Sequence, residues 1–138
     1  MKLFSDVLRI IRGHKKFIVT SHTNPDADAA ASALSVALAL KKMGKSVMVV
    51  NQDPLPKWLK FLPQAKLFKQ ASKIKSIDYD AMIVLDCGDL ARIGEVKKLL
   101  ISGKLLVNID HHVPMIVLAL PIVLLRMLLP PARFYLIF

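Results

Sequence analysis

The sequence predicts an α/β fold with an open, mainly parallel, doubly wound sheet. Four short apolar runs alternate with segments of helical composition, which is typical of this class. The first strand–helix–strand unit predicts a right-handed crossover between parallel strands. Three of the four runs end in residues that can bind metal ions, and ligands of such sheets collect at the carboxyl ends of the strands.

The N-terminal half supplies two helices and two strands in alternation. Residues 3–12 have the apolar spacing of an amphipathic helix. Residues 16–21 are apolar and β-branched, so they predict a buried strand. Residues 28–43 are rich in Ala and Leu and predict the longest helix, and residues 46–51 predict the second strand.

The second half continues the alternation with less regular helices. A short helix is predicted between Pro56 and Pro63, and a basic amphipathic helix over 66–75. Residues 80–85 predict the third strand, 91–100 a helix and 105–109 the fourth strand.

Metal-ligand residues follow the first, third and fourth predicted strands. Each cluster alone has a simpler explanation, since an Asp can cap a helix and a His can be a satisfied loop residue. Three clusters at one edge of a sheet favour a metal site, and their carboxylates and imidazoles suit Mn²⁺, Mg²⁺ or Zn²⁺. The clusters are His22 with Asp26 and Asp28, then Asp86, then Asp110 with His111 and His112.

The chain is strongly basic. It has 20 Lys and Arg against 10 Asp and Glu, a net charge of +10. Residues 41–75 contain nine Lys and one carboxylate, which is either a solvated lysine face or a surface for polyanions. The residues proposed for such a surface are Lys57, Lys60, Lys66 and Lys69. The single cysteine, Cys87, excludes an intrachain disulfide and agrees with a reducing, cytoplasmic location.

The last 26 residues, 113–138, differ in composition from the rest. Twenty of them are apolar, four are Pro and two are Arg. The longest uncharged run is too short for a membrane span of ~20 residues, and the prolines oppose a long buried helix. We favour a third interpretation, a segment translated in a shifted reading frame, so that the predicted catalytic domain covers residues 1–112.

The three clusters, in this order, resemble the DHH family of phosphoesterases. The matching segments are HTNPDADAAAS at 22–32, VLDCGDLARIG at 84–94 and NIDHH at 108–112. The resemblance is strongest to the small bacterial oligoribonucleases that also dephosphorylate 3′-phosphoadenosine 5′-phosphate. It implies a DHH-type N-terminal domain that hydrolyses short oligoribonucleotides or nucleoside 3′,5′-bisphosphates.

The resemblance also implies roles for individual residues. His22, Asp26 and Asp86 would hold one Mn²⁺, and Asp28, Asp86 and His111 a second, with Mg²⁺ as a substitute. Asp110 would support the histidines and His112 would face the phosphate, so both count as catalytic. Ser32 and Arg92 would contact substrate.

Departures from the family pattern leave two further hypotheses. Ala31 stands where the family commonly has Gly, and we find neither the downstream aspartate motif nor the separate substrate-binding domain of the family. The first alternative is therefore a truncated, non-catalytic fragment with an incomplete second metal site. The second is a basic nucleic-acid-binding module.

Overall fold

A six-stranded parallel sheet organises the chain. The computed structural model describes residues 2–110 and 122–126. The strands are β1 (Lys16–Thr20), β2 (Ser46–Asn51), β3 (Phe68–Gln70), β4 (Ala81–Leu85), β5 (Leu105–Asp110) and β6 (Ile122–Arg126). Their order across the sheet is β3-β2-β1-β4-β5-β6, and every neighbouring pair is parallel.

The helices occupy the connections between strands. They are α1 (Lys2–Gly13), α2 (Ala27–Lys42) and 3₁₀ helices at Lys57–Leu59, Ala65–Leu67, Ala71–Lys73 and Leu90–Leu99. No helix in this described part of the chain is long and apolar enough to cross a bilayer.

Both faces of the sheet are buried, as the predicted doubly wound class requires. Along β1, Phe17 and Val19 pack in the cluster that includes Leu34 of α2, whereas Ile18 packs in the cluster that includes Ile93. Successive side chains of a strand point to opposite faces. The continuous apolar run therefore fills two cores, and the fold-class prediction is confirmed.

The predicted basic helix over 66–75 is wrong. The segment forms a 3₁₀ turn, the edge strand β3 and a second 3₁₀ turn. Phe68 packs against the α2 side of the sheet, whereas Ala71 and Ile74 pack on the opposite side. A single helix lying on one face could not bury side chains on both sides of a sheet.

The four-strand prediction is also incomplete. The structure adds β3 and β6, and β6 pairs in parallel with β5 from Leu106↔Ile122 to Asp110↔Arg126. β6 lies in the proline-containing tail, but the strand itself, Ile122–Arg126, contains no proline. The predicted helix 91–100 is a 3₁₀ helix, Leu90–Leu99, interrupted at Gly94.

Parallel pairing places the carboxyl ends of β1, β2, β4 and β5 along one edge of the sheet. The residues there are Thr20, Asn51, Leu85 and Asp110. Three loops leave this edge and carry the predicted ligand clusters. The sheet therefore gathers residues that lie up to 88 positions apart in sequence, from His22 to Asp110.

Candidate metal centre

His22 lies just beyond β1 and presents one ring nitrogen to two carboxylates. Its side chain is 8% exposed, and its Nδ1 donates to the backbone carbonyl of Thr23 at 2.7 Å. This hydrogen bond assigns the proton to Nδ1 in the neutral imidazole, so Nε2 carries the lone pair. A metal-binding histidine usually has its other nitrogen fixed in this way.

Asp26 uses its two carboxylate oxygens differently. It is the N-cap of α2, and its Oδ1 accepts from the backbone N–H of Ala29 at 2.9 Å. Its Oδ2 lies 3.9 Å from Nε2 of His22. Helix capping and ligand binding are therefore not alternatives for this residue, because the cap holds one oxygen and leaves the second facing the histidine.

Asp86 immediately follows β4 and completes the group. Its Oδ2 lies 3.7 Å from Nε2 of His22, and its side chain is 9% exposed. Its backbone adopts the left-handed conformation with φ of 52°, and its N–H donates to the carbonyl of Ile109 at 3.1 Å. Asp is among the non-glycine residues that tolerate this conformation, which turns the chain sharply at the strand end.

These three residues fit a divalent cation. One ligand atom from each of His22, Asp26 and Asp86 lies within 4.8 Å of the others. The 3.7 and 3.9 Å separations are too long for hydrogen bonds. Two atoms that each bind one ion at about 2.1 Å are at most about 4.2 Å apart, so both separations are compatible with a shared ion.

Asp28 and Asp110, the other predicted site carboxylates that the structure describes, are not part of this group. Asp28 is in the first turn of α2, and its Oδ1 accepts from the hydroxyl of Ser32 at 3.3 Å. Asp110 is the last residue of β5 and is half-buried at the same edge. His111 and His112 lie outside the described residues.

The segment that carries Arg92 packs against the loop after β1. The side chain of Arg92 is exposed, and its carbonyl accepts from the N–H of Thr23 at 2.8 Å. Gly94 adopts φ of 58° and ψ of −130°, and a Cβ there would lie 2.0 Å from Oε1 of Gln52 and 2.8 Å from Cγ2 of Thr23. The glycine therefore permits the close approach that joins three loops at the metal centre.

Two buried asparagines support the same loops and were missed in the sequence. Asn51, at the end of β2, donates through Nδ2 to the hydroxyl of Ser21 at 2.7 Å and to the carbonyl of His22 at 3.3 Å. Asn108 of β5 donates to the carbonyl of Cys87 at 3.1 Å. The apolar run of β2 also ends in a polar residue, but an amide does not by itself indicate a metal site.

Cys87 is adjacent to Asp86 and is inert. Its side chain is fully buried, and burial raises the pKa of its thiol to about 11. The Sγ atom donates to the carbonyl of Asp89 at 3.1 Å. A thiol with this pKa stays protonated near neutral pH, so it is a poor nucleophile there.

The lysines predicted to bind polyanions are all exposed. They are Lys57, Lys60, Lys66 and Lys69. Their segment is joined to the metal centre, because the carboxylate of Asp53 accepts from the N–H of Asn24 at 2.8 Å. Asn24 lies between His22 and Asp26 and has a left-handed backbone with φ of 49°.

One protein family matches most of this chain. The profile of the DHH family, N-terminal domain, matches residues 16–127. The bifunctional oligoribonuclease and PAP phosphatase NrnA of Thermus thermophilus is 33% identical over 113 residues, which are 81% of this chain and 32% of that protein. The crystal structure of an exopolyphosphatase-related protein from Bacteroides fragilis superposes with a TM-score of 0.76 at 25% identity, over 83% of this chain and 36% of that one. The chain thus spans about a third of the length of each of these two proteins.

Proposed function

Because the chain belongs to the DHH family, we propose that its metal centre serves a phosphoesterase that acts on short oligoribonucleotides or nucleoside 3′,5′-bisphosphates. The observation that carries the proposal is the convergence of His22, Asp26 and Asp86 at the carboxyl edge of the sheet. The oligoribonuclease and PAP phosphatase of Thermus thermophilus supports the choice of substrates.

We assign the metal to His22, Asp26 and Asp86, with Mn²⁺ as the preferred ion. When bound, a divalent ion supplies Lewis acidity toward a phosphate oxygen and lowers the pKa of water. The oxygen and nitrogen donors suit Mn²⁺ and Mg²⁺ better than softer metals. Following the family pattern, Asp28, Asp86 and His111 would hold a second ion, and Asp110 and His112 would act beside them.

The surrounding residues hold this donor set in place. Thr23 fixes the tautomer of His22 through its carbonyl, and the N–H of Ala29 fixes one oxygen of Asp26. Asp86 is fixed by its backbone bond to Ile109 of β5. Each donor is thus oriented by the fold itself, which reduces the reorganisation needed when an ion and a phosphate arrive.

The proposed substrate contacts are Ser32 and Arg92. The exposed guanidinium of Arg92 belongs to the segment whose backbone is bonded to Thr23. An arginine in this position can bind a phosphate with two parallel hydrogen bonds. Ser32 lies one turn beyond Asp28 on α2 and is bonded to it, so its hydroxyl orients that carboxylate as well.

The test separates metal binding from turnover. Mn²⁺ affinity of the chain is measured by calorimetry, and hydrolysis is followed as mononucleotide released from a short oligoribonucleotide and as inorganic phosphate released from 3′-phosphoadenosine 5′-phosphate. We expect Mn²⁺ to bind, and His22→Gln to weaken binding by more than the ~10–100-fold typical for a residue that only supports a ligand. His14→Gln is the matched control, because His14 lies between α1 and β1 and its Nδ1 bonds the carbonyl of Ile10 at 2.8 Å.

Three results decide between the hypotheses. Metal-dependent hydrolysis that is lost in His22→Gln supports the phosphoesterase. Mn²⁺ binding without hydrolysis of either substrate supports the non-catalytic alternative. A chain that binds no Mn²⁺, or a His22→Gln variant that binds it as the parent does, rejects the assigned centre.

A further inference from the structure

Two aromatic side chains stand out from the surface close to the metal centre. Trp58 is 64% exposed and Phe61 is 79% exposed, the highest values among the large apolar side chains of the described residues. They belong to a series of tight turns after β2, in which N–H groups of Leu59, Lys60 and Leu62 donate to carbonyls three residues earlier at 2.9, 3.2 and 3.0 Å. Residues three positions apart are eclipsed in such 3₁₀ turns.

The 3₁₀ helix covers Lys57–Leu59 and tight turns continue to residue 62. Burial sorts residues 57–62 into three pairs, which we call columns. Leu59 and Leu62 form the inner column, in which Leu59 is 3% exposed and Leu62 packs against the same cluster. Trp58 and Phe61 form the aromatic column, and Lys57 and Lys60 form a basic column beside it. Because the inner column is anchored in the core, the aromatic and basic columns are held outward by the fold.

The columns are attached to the metal-binding loop by two contacts. Leu55 and Leu59 pack in one cluster with Ala30, which lies in the first turn of the helix capped by Asp26. The carboxylate of Asp53 bonds the N–H of Asn24, within the loop between His22 and Asp26. The aromatic surface and the metal centre therefore share the same edge of the sheet.

The charge of the segment indicates what this surface contacts. Residues 54–75 contain six lysines and no carboxylate, and all six are exposed: Lys57, Lys60, Lys66, Lys69, Lys73 and Lys75. Exposed aromatic rings beside a positively charged surface are the combination that binds single-stranded nucleic acid, with bases on the rings and phosphates on the cations.

We propose that Trp58 and Phe61, flanked by Lys57 and Lys60, form a base-stacking platform for single-stranded RNA at the entrance to the metal centre. The choice of RNA as occupant rests on the proposed function, because a strand held here runs along the edge that carries His22, Asp26 and Asp86. Stacking tolerates any base, so the platform binds oligonucleotides without reading their sequence.

The first experiment uses Trp58 as its own reporter. It is the only tryptophan in the chain, so quenching of intrinsic fluorescence measures stacking on this ring. The full chain is titrated in EDTA with a short oligoadenylate and with an abasic oligomer of equal length. We expect strong quenching by oligoadenylate and little by the abasic strand, and a roughly 5- to 150-fold weaker affinity for oligoadenylate in Phe61→Ala.

Matched variants separate stacking from charge. In anisotropy measurements with a labelled oligoadenylate, Trp58→Tyr should bind nearly as the parent does and Trp58→Leu should not, because only tyrosine keeps an aromatic face. Ile101→Ala is the control for an exposed apolar residue, 48% exposed and near the amino end of β5. The double variant Lys57→Gln, Lys60→Gln should reduce the salt slope by roughly 1.4, at about 0.7 per phosphate contact for single strands, whereas Lys41→Gln should not.

Several results would overturn the platform. These are equal quenching by the abasic strand, unchanged affinity in Phe61→Ala and Trp58→Leu, or quenching by anionic phosphatidylserine vesicles but not by RNA. The Mn²⁺ affinity of Trp58→Leu should equal that of the parent chain. RNA binding without Mn²⁺ binding would reject the proposed function and retain the platform. If Trp58→Leu and Phe61→Ala instead hydrolyse RNA at the parent's rate and with the parent's KM, the platform alone is rejected.

Discussion

Replacing Asp86 with Asn should remove Mn²⁺ binding without disturbing the backbone. Asp86 has φ of 52°, and Asn accepts this left-handed conformation as readily as Asp does. Alanine would add a conformational penalty of roughly 1–2 kcal/mol, which would be confused with the loss of a ligand. Asn also keeps the shape of the side chain and one oxygen, so the variant tests the charge alone.

The size of the effect follows from linkage between binding and folding. An ion present at 100 times its Kd stabilises the native state by about 2.7 kcal/mol. In a chain of 138 residues, each kcal/mol changes Tm by roughly 4 °C, so the parent chain should gain roughly 10 °C with saturating Mn²⁺.

The assay is thermal unfolding of each variant with and without Mn²⁺. Comparing the two conditions within one variant removes any difference in metal-free stability. The control is Asp78→Asn, whose carboxylate precedes β4 at the opposite edge of the sheet and pairs with Lys16 at 2.5 Å. If Asp86→Asn gains as many degrees as the parent and Asp78→Asn do, Asp86 is not a metal ligand and the assignment fails.

Three shorter predictions concern the framework around the centre. Gly94→Ala should lower the free energy of unfolding by about 1–3 kcal/mol more than Gly103→Ala does in urea titrations. Both glycines have positive φ, but only at Gly94 would a Cβ meet Gln52. Equal losses would contradict the predicted clash. Backbone N–H groups of Lys15 and Lys16 lower the pKa of Asp80 from its ordinary 3.8. The ionised carboxylate therefore stabilises the folded state fully above that value, and this contribution is lost as pH falls through the lower folded pKa. Asp80→Asn should reduce the acid dependence of the free energy of unfolding below pH ~4, and an unchanged dependence would refute this. Cys87, with its pKa raised to about 11, should react with a disulfide reagent at pH 8 only after unfolding, and rapid labelling of the folded chain would show that the thiol is accessible.

The sequence was sufficient for the fold class and for the four central strands. β1, β2, β4 and β5 are continuous apolar runs because both of their faces are buried. The edge strand β3 has only three residues and a mixed burial pattern, so no periodicity marks it. β6 lies in a segment whose prolines argue against strands, yet the strand itself, Ile122–Arg126, contains none.

The candidate site was predictable as residue types but not as geometry. The positions of His22, Asp26 and Asp86 at strand ends follow from the parallel sheet. The division of the two oxygens of Asp26 between a helix cap and the histidine does not follow from spacing, because it depends on how α2 enters against β1. Asn51 was missed for a related reason, since its role lies in a bond to the backbone of His22.

The three residues of the candidate metal centre come from points where regular structure stops. The end of β1 supplies His22, the start of α2 supplies Asp26, and the end of β4 supplies Asp86. Residues at such points already need particular conformations or hydrogen bonds, such as the helix cap on Asp26 and the left-handed turn at Asp86. Asp meets both needs at little cost in stability. The carboxylate of Asp26 therefore serves the fold without an ion, whereas the buried carboxylate of Asp86 is placed by a backbone turn that Asp tolerates. In both cases folding itself places the carboxylate beside His22.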